Sequence, residues 1–406
     1  MEDPDRTFGP LRHPAFARIL VAALLANLGN AMQSVAGAWH LTAAGQPADI
    51  IALVQTVYNL PIMLLALPAG AIADMFDRRR IMLGAVAAML GVALLLAWLA
   101  ASGAAGVVAV IGLTALLAAG TACFAPALAG SIGGTVPRAT LAAAVALNIV
   151  AFNAARSIGP ALGGALVAVG GAEAGFAVTA LCYALALLVL LGWRQQRGDR
   201  PPRRALHKVI GEGLAHALAS REIRTVIARA FVFCLSGAAA WALMPLVADD
   251  MLGRGSAVYG LLLGALGLGA VGGAASATWF RLRFSAEAIT RAAGLVYGAA
   301  CLGVAAAPGL PAMLVLLVAA GAGWVQALSG FSVAGQMWAP RPLVGRITAL
   351  VSSLTFGGIA LGSWLWGHVA TDHGVAFALA GSGGLMLVVA LLGLVLPMPA
   401  HAGRRD

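Results

Sequence analysis

The chain carries a short charged loop between two long apolar runs, Gly70-Ala71-Ile72-Ala73-Asp74-Met75-Phe76-Asp77-Arg78-Arg79-Arg80. The runs cover about residues 49–73 and 81–101. Each is long enough for a helix that crosses the hydrocarbon core of a bilayer, which takes roughly 20 residues. A few charges between two such runs predict a tight turn at one face of a membrane.

The composition extends this interpretation to the whole chain. Apolar residues make up 61% and charged residues 10% of the 406 residues, whereas a soluble domain has about 25% charged residues. So few charges cannot cover the surface of a soluble fold, and the 52 glycines are typical of membrane helices. The four cysteines lie inside apolar runs without metal-ligand spacing, so neither disulfides nor a metal site are expected.

Twelve apolar runs of this length follow one another along the chain, and we number them spans 1 to 12. The sequence therefore predicts an all-α membrane protein with twelve transmembrane helices. The approximate limits of the spans are residues 17–41, 49–73, 81–101, 105–129, 139–169, 174–193, 225–248, 256–280, 286–306, 310–334, 345–370 and 375–397.

Basic residues are distributed unevenly between alternate loops. With the N-terminus in the cytoplasm, the cytoplasmic segments hold 22 of the 25 basic residues, and only Arg254 lies in an external loop. Because basic residues concentrate on the cytoplasmic side of membrane proteins, both termini are predicted to be cytoplasmic. The net charge of +10 then reflects orientation in the membrane, and no nucleic acid is expected as a partner.

The longest polar stretch lies between span 6 and span 7. It predicts an N-terminal six-helix bundle over residues 1–193, a cytoplasmic linker over 194–224, and a C-terminal six-helix bundle with a short cytoplasmic tail over 225–406. Within the linker, apolar residues recur at helical spacing from Leu206 to Leu218. This pattern predicts an amphipathic helix on the membrane surface; a plain solvated linker is the alternative.

The two halves also repeat at an offset of 203 residues, at which Gly70 matches Gly273 and Arg78 matches Arg281. Matches of this kind fall in the loop after span 2, before span 5 and within span 5. Duplicated six-helix halves are typical of transporters that give alternating access to a site between the halves.

The loop from Gly70 to Arg80 resembles the signature loop of the major facilitator superfamily. The stretches Phe8 to Phe16, Asn27 to Trp39 and Asn148 to Gly164 are similar to its branch of enterobactin-exporter-like and multidrug-efflux carriers, and the resemblance covers most of the chain. It implies two pseudo-symmetric bundles, proton-coupled export of amphipathic, drug- or siderophore-like organic molecules, and a bacterial cytoplasmic (inner) membrane.

The resemblance also implies a conformational latch at this loop. The glycine would let span 2 pack closely on the other bundle, while the aspartate, held by the arginines, would meet the positive end of a helix. Such a latch is intact only when the cytoplasmic side is closed; an ordinary basic cluster is the alternative. The second half has Ala277 in place of the acid, so its copy should latch weakly or not at all. The latch residues would be Gly70, Asp74, Arg78, Arg79 and Arg80.

Span 5 contains the segment Gly159-Pro160-Ala161-Leu162-Gly163-Gly164. Glycines at this spacing expose backbone for close helix contact, and a proline bends the helix. The segment resembles the antiporter motif of drug exporters, although Ala146 and Ala155 stand where that motif has two further glycines. Generic packing of small residues is the alternative.

Polar side chains form one stripe on span 1 and another on span 10, when helices are drawn at about 100° per residue. In the family fold spans 1, 4, 7 and 10 line the central cavity, so the resemblance places the stripes opposite each other, with aromatic side chains that would stack on a flat ligand. Hydrogen bonds between helices, without a ligand, are the alternative. The candidates are Asn27, Asn30, Gln33, Ser34, Gly37 and His40, then Gln326, Ser329, Ser332 and Gln336, with aromatic Phe124, Trp241 and Trp324.

Arg156 lies near the middle of span 5, where a charge is costly and usually functional. No other span has a carboxylate at matching depth. Its partners would be backbone carbonyls, amides such as Asn153, water or an anionic substrate. A structural role and a role in substrate binding both stay open.

Proton coupling, which the resemblance implies, needs a titratable group with access to both sides of the membrane. No span has Asp or Glu at mid-depth, and Leu116 stands where related antiporters have an arginine on span 4. The candidates for the proton site are therefore His40, Asp74, Asp249 and His368. The two histidines have a second interpretation as side chains at the membrane interface.

Two other kinds of function are alternatives to export. An importer or facilitator of a small metabolite would use the same fold and differ in the direction of transport. An intramembrane enzyme or a receptor lacks support, because the sequence has no paired carboxylates, metal-ligand spacing, serine–histidine constellation or P-loop. We therefore expect no catalytic residue, cofactor or metal, and a monomer whose partners are a small-molecule substrate, protons and the lipid bilayer.

Overall fold

The computed structural model describes residues 9–193, 206–307, 309–340 and 343–399; for Asp74, residues 206–210 and Glu212 it describes the backbone alone. These residues are almost entirely helical. The long helices are Pro14–Ala43, Ala48–Met75, Arg78–Ala101, Val107–Ile132, Leu141–Leu191, Ser256–Arg283, Ala286–Ala305, Leu310–Trp338, Val344–His373 and Val375–Leu392.

Ten helices in the described residues are long and apolar enough to cross a membrane, and one of them crosses twice. The helix Leu141–Leu191 has 51 residues. At about 1.5 Å per residue it is more than twice as long as the hydrocarbon core is thick. Gly170 and Gly171 leave the helical conformation inside it, with Gly171 at a φ of 70°. The two arms on either side of this kink are spans 5 and 6.

Span 7 is a broken helix and supplies the twelfth crossing. It consists of Arg221–Gly237, the short helices Ala239–Ala242 and Met244–Leu246, and a π-helical turn over Val247–Met251. Pro245 contributes to the break because it has no N–H for the carbonyl one turn earlier. The prediction of twelve transmembrane helices is thereby confirmed.

Spans 1 to 6 form one bundle and spans 7 to 12 form a second. In the first, span 1 packs along the helix that holds spans 5 and 6, and span 4 packs on spans 2 and 3. In the second, span 10 packs on spans 8 and 9, and span 12 on span 9. The bundles meet where span 2 contacts span 11 and span 5 contacts span 8. Spans 2 and 8 are equivalent in the repeat, as are spans 5 and 11, so the interface is pseudo-symmetric.

Close approach of backbones holds the second bundle together. A Cβ atom at Gly269 of span 8 would lie 1.9 Å from the Val318 carbonyl oxygen of span 10. The reverse also holds, since a Cβ atom at Gly321 would lie 1.9 Å from the Leu266 carbonyl oxygen. Only glycine fits these positions, which explains part of the glycine content as helix packing.

The linker contains the helix that its apolar pattern predicts. The helix Leu206–Ala219 contacts spans 2, 7 and 11. Gly213 lies against Arg346, such that an added Cβ atom would be 3.1 Å from the arginine Cβ. The preceding linker residues 194–205, with Pro201-Pro202, lie outside the described residues.

The loops define two ends of the molecule. Arg78 begins span 3 and Arg281 lies in the last turn of span 8, and we call the end that holds them the arginine-rich end. The arginine-poor end holds the turns at Gly45, Gly253 and Gly374, all of which have positive φ.

Candidate functional site

The two bundles are in tight contact near the arginine-poor end. Gly164 of span 5 lies against Gly260 of span 8, where a Cβ atom on Gly164 would be 2.6 Å from the Gly260 Cα atom. Two turns further along, the Ser157 hydroxyl donates to the Gly267 carbonyl oxygen at 2.7 Å. This backbone-to-backbone contact leaves no passage between spans 5 and 8 at this level.

Spans 2 and 11 close the same end on the other side. The Asp49 amide N–H donates to the Thr371 hydroxyl at 2.9 Å, and this hydroxyl lies 3.1 Å from Asp49 Oδ1. Deeper in the membrane, the Thr56 hydroxyl donates to the Ala360 carbonyl oxygen at 3.2 Å. These bonds join the first bundle to the second.

The same pairs of spans separate toward the arginine-rich end. Val150 of span 5 and Val271 of span 8, which lie nearer the arginine-rich end than Ser157 and Gly267, are 62% and 41% exposed. A Cβ atom at Gly70 of span 2 would meet no atom within 4 Å. Contact at one end and separation at the other leave the space between the bundles open toward the arginine-rich end.

The loop after span 2 braces the first bundle in this conformation. Arg78 donates to the Gly130 carbonyl oxygen at the end of span 4, and Arg79 donates to the Leu191 carbonyl oxygen at the end of span 6, at 3.0 Å. These carbonyls are among those that a helix end leaves without partners. Asp77 caps span 3 by accepting from the Arg80 N–H at 3.1 Å. The close packing expected of Gly70 is absent here, and the Asp74 side chain lies outside the described residues.

The Gly159 to Gly164 segment contacts two different spans. A Cβ atom on Gly159 would lie 2.6 Å from the Ala31 Cβ atom, and one on Gly163 would lie 3.3 Å from the Val35 Cβ atom, both in span 1. Gly164 instead faces Gly260 across the bundle interface. Two of the three glycines therefore pack the first bundle, and the third closes the arginine-poor end. Pro160 is buried in the same helix.

The amides of span 1 turn toward their own bundle. Asn30 Oδ1 accepts from Thr121 at 3.1 Å and from Tyr183 at 2.8 Å, and Gln33 Nε2 donates to Thr114 at 3.3 Å. Asn30 is 7% and Gln33 is 1% exposed. The expectation that these two side chains line the cavity is wrong for this conformation, because hydroxyl groups of spans 4 and 6 bind them.

The other polar residues of span 1 are half-buried. Asn27 donates to the Ala23 carbonyl oxygen of its own helix at 2.8 Å. Ser34 accepts from Gln55 of span 2 at 3.1 Å. The helix-to-helix alternative for this stripe therefore describes Asn30, Gln33 and Ser34 better than a ligand site does.

Gln326 and Ser329 of the span 10 stripe bind span 8, not span 1, while Gln336 donates to Ser332 of its own helix at 3.3 Å. Gln326 Nε2 donates to the Gly273 carbonyl oxygen at 3.0 Å and to the Ser276 hydroxyl at 3.2 Å. Arg281 donates to the Ser329 hydroxyl at 2.7 Å. The two stripes thus do not face each other across the cavity, because a polar neighbour inside the second bundle satisfies the second stripe.

Arg156 and Trp241 meet where the two bundles come together at mid-depth. The guanidinium carbon of Arg156 lies 4.6 Å from the centre of the Trp241 ring, a cation–π contact between span 5 and span 7. Both side chains are half-buried. Arg156 lies directly beside Ser157, so it marks the closed end of the space that opens toward the arginine-rich end.

Trp324 belongs to an aromatic cluster of the second bundle. Its ring lies 5.3 Å from Tyr297, 5.5 Å from Phe233 and 6.1 Å from Trp241. It is 1% exposed. Trp324 therefore supports Trp241 from behind and does not itself present a face to a ligand in this conformation.

Sequence reasoning missed Tyr58 of span 2, a half-buried phenol in the same middle part of the molecule as Arg156. The chain has four tyrosines, and Tyr58 lies near the middle of its span. Matching depth with Arg156 was the available signal, but depth alone does not tell which helices are neighbours.

The histidines proposed for proton coupling lie away from this centre. His40 Nε2 is 2.9 Å from the Ala105 carbonyl oxygen, at the arginine-poor end of span 1. His368 is exposed, and its Nδ1 is 2.9 Å from the Trp364 carbonyl oxygen of its own helix. Asp249 is exposed at the end of span 7. None of the three contacts Arg156.

Replacing Thr371 by valine tests the bond to Asp49. A hydrogen bond of this kind contributes about 1 kcal/mol, so the population open at the arginine-poor end should rise about fivefold. The measurement is the distance between spin labels on cysteines introduced at Ala44 and Arg254, one on each bundle. Thr355→Val is the control, because that hydroxyl bonds only within its own helix, to Val351 at 2.8 Å. Equal distance distributions in both variants would contradict a role for the bond.

Comparison with known proteins gives the same architecture. Residues 5–404 match the family described as transmembrane secretion effector. A multidrug efflux pump, Tap, of Mycobacterium tuberculosis is 28% identical over 377 residues, which cover 90% of this chain and 88% of the relative. The enterobactin exporter EntS of Shigella boydii is 27% identical over 410 residues, covering 95% and 92%.

A solved structure, that of the nucleoside transporter NupG, superposes with a TM-score of 0.78 at 10% identity, over 94% of this chain and 100% of that one. At this identity the likeness shows the fold alone. The twelve spans, the two related bundles and the match over nearly the whole length identify the chain as a member of the transmembrane secretion effector family of major facilitator superfamily transporters.

Proposed function

We propose that this protein is a secondary active transporter that exports amphipathic small organic molecules by alternating access. The observation that carries the proposal is the space between the bundles, which is closed at Gly164–Gly260 and open at Gly70. A carrier that works by alternating access needs such a state and a second state in which the open and closed ends are exchanged. The relatives named as a multidrug efflux pump and an enterobactin exporter support export of organic compounds.

The arginine-rich end faces the cytoplasm of a bacterium in this proposal. The segments assigned to that side hold 22 of the 25 basic residues, as the positive-inside rule requires. Both termini are then cytoplasmic, in the cytoplasmic membrane. The conformation described here is consequently open to the cytoplasm, which is the state that takes up a substrate for export.

Transport then requires the bundles to rock against each other as units, residues 1–193 and 225–406, joined by the linker 194–224. Closing the cytoplasmic side brings Gly70 against the second bundle, where Asp74, Arg78, Arg79 and Arg80 form the latch. In the present conformation Arg78 and Arg79 donate hydrogen bonds to the ends of spans 4 and 6. These bonds hold the loop between spans 2 and 3 in the conformation that the latch contact requires. A single chain contains both bundles, so a monomer suffices for this cycle.

Protons are the proposed coupling ion. Of the candidates His40, Asp74 and His368, we favour His40, which is half-buried beside Phe176 with ring centres 6.2 Å apart. Its contact with the Ala105 carbonyl ties span 1 to the start of span 4 at the arginine-poor end.

Everted membrane vesicles, whose cytoplasmic face is outside, test direction and coupling together. With an acidic interior, vesicles that contain the protein should accumulate the dye ethidium faster than vesicles without it. Nigericin, which removes the pH gradient, should abolish this difference. Dye accumulation only in right-side-out vesicles would instead show an importer, and transport that persists without any ion gradient would exclude proton coupling.

A further inference from the structure

The centre of the molecule has an uncompensated positive charge. Arg156 is half-buried at mid-depth, and among the described residues no carboxylate lies within 4 Å of its guanidinium. The described acidic residues lie at the two ends of the molecule, for example Asp49 and Asp249 at one and Glu287 at the other. A charge in this position is costly unless something balances it.

Arg229, another arginine within a span, shows how this protein accommodates a structural arginine. It forms an ion pair with Glu287 of span 9, and the two side chains are 11% and 13% exposed. It also donates to the Leu396 carbonyl oxygen at 3.2 Å. Arg229 thus ties span 7 to span 9 and to the segment after the helix of span 12, whereas the close contact of Arg156 among the described residues is with an aromatic ring, that of Trp241.

The remaining neighbours of Arg156 do not supply a negative charge. They are Tyr58, Cys234 and Tyr297, two phenols and a thiol, which are neutral at pH 7. The Tyr297 hydroxyl already donates to the Gly237 carbonyl oxygen at 2.6 Å. These groups make the surroundings of the guanidinium aromatic and polar but leave its charge uncompensated.

The arrangement suits a ligand that combines a flat ring with an anionic group. A guanidinium offers a planar fork of donors that binds a carboxylate or sulfonate through two parallel hydrogen bonds. Trp241 provides aromatic surface beside this fork, and it comes from the second bundle while Arg156 belongs to the first. Because the ligand would contact both bundles at the closed end of the open space, its binding would be linked to their relative position.

We propose that Arg156 and Trp241 form the substrate-recognition site and that the exported compounds include planar organic anions, which Arg156 recognises. This inference rests on the proposed function, since it names the substrate class of the same transport site. The anion supplies the negative charge that the described residues lack at this depth. The Arg156 guanidinium is therefore ion-paired when substrate is bound.

The test compares two probes of similar shape and opposite charge, 1-naphthoate and 1-naphthylmethylammonium, in everted vesicles. Arg156→Gln should lower 1-naphthoate transport about tenfold or more, because it removes charged hydrogen bonds. Arg156→Lys should lower it as well, since an ammonium lacks the planar fork. Transport of the cation should stay within about twofold, as a lost anion contact does not affect it.

Arg229→Gln is the matched control. It makes the same chemical change at an arginine that is also within a span but is paired with Glu287 and lies outside the proposed site. In that variant the transport of both probes and the melting temperature should fall together. Binding of 1-naphthoate to the purified protein, measured by calorimetry, gives a readout independent of transport and should be lost in Arg156→Gln.

Equal losses for both probes in Arg156→Gln, in proportion to a lower melting temperature, would overturn the proposal and make Arg156 structural. If wild-type protein exports ethidium but neither binds nor transports 1-naphthoate, the substrate class is wrong while the proposed export function stands. If it transports no probe and no dye, the export function itself fails, whereas calorimetric binding of 1-naphthoate that depends on Arg156 would still support the site.

Discussion

Replacing Gly164 by valine is expected to reduce transport to the background of vesicles without the protein. A Cβ atom at this position would lie 2.6 Å from the Gly260 Cα atom and 2.6 Å from the Ser256 carbonyl oxygen. Both are backbone atoms, so no side chain can rotate away. Spans 5 and 8 then cannot approach each other at the arginine-poor end, and the state open to the arginine-rich end is lost.

The same variant should change conformation, not stability alone. Spin labels at Ala44 and Arg254 should move apart in Gly164→Val, because the bundles are held open at the arginine-poor end. Gly272→Val is the control, since a Cβ atom there meets nothing within 4 Å on the same span 8 that carries Gly260. Normal transport in Gly164→Val, or an unchanged distance distribution, would show that spans 5 and 8 need not close at this point.

Replacing Glu287 by glutamine is expected to cause the largest loss of stability. Glu287 accepts from Arg229, from Arg291 at 3.2 Å and from the Met398 N–H at 2.7 Å, and it is 13% exposed. Without that charge, Arg229 loses its ionic partner in a largely buried position and keeps only the Leu396 carbonyl oxygen as a described acceptor. Breaking a buried ion pair by removing one partner costs about 3–5 kcal/mol, so the melting temperature should fall markedly.

A melting curve of the purified protein in detergent measures this effect. Glu173→Gln is the control, because Glu173 is exposed at the arginine-poor end and the same chemical change should have little effect there. A melting temperature of Glu287→Gln equal to that of the control would contradict a stabilising role for the Arg229–Glu287 pair.

The transmembrane helices followed from local properties of the chain. Each span must bury about 20 residues in hydrocarbon regardless of its neighbours, so the length of an apolar run is sufficient information. Even the irregular places have local causes, since Gly170-Gly171 bends the chain between spans 5 and 6 and Pro245 interrupts span 7. The helix Leu206–Ala219 likewise follows from its own periodicity.

The candidate site was predictable only in part. Arg156 was recognisable because a charge at mid-span is rare and expensive. The polar stripes of spans 1 and 10 were also recognisable as stripes, but their direction was not. A polar face can turn to a cavity or to a polar neighbour, and Asn30 turns to Thr121 and Tyr183 while Gln326 turns to Gly273.

The sequence by itself determined which segments cross the membrane, where the chain reverses and where one charge is left in the apolar interior, because hydrophobic burial acts on each segment separately. Only the tertiary structure decided that Arg229 is paired while Arg156 lies on Trp241, and that Asp49 reaches Thr371 across 322 residues. It also decided that the bundles touch at one end and part at the other. These features depend on helices that are distant in the chain and adjacent in space, and on the relative position of two bundles, which no local pattern encodes.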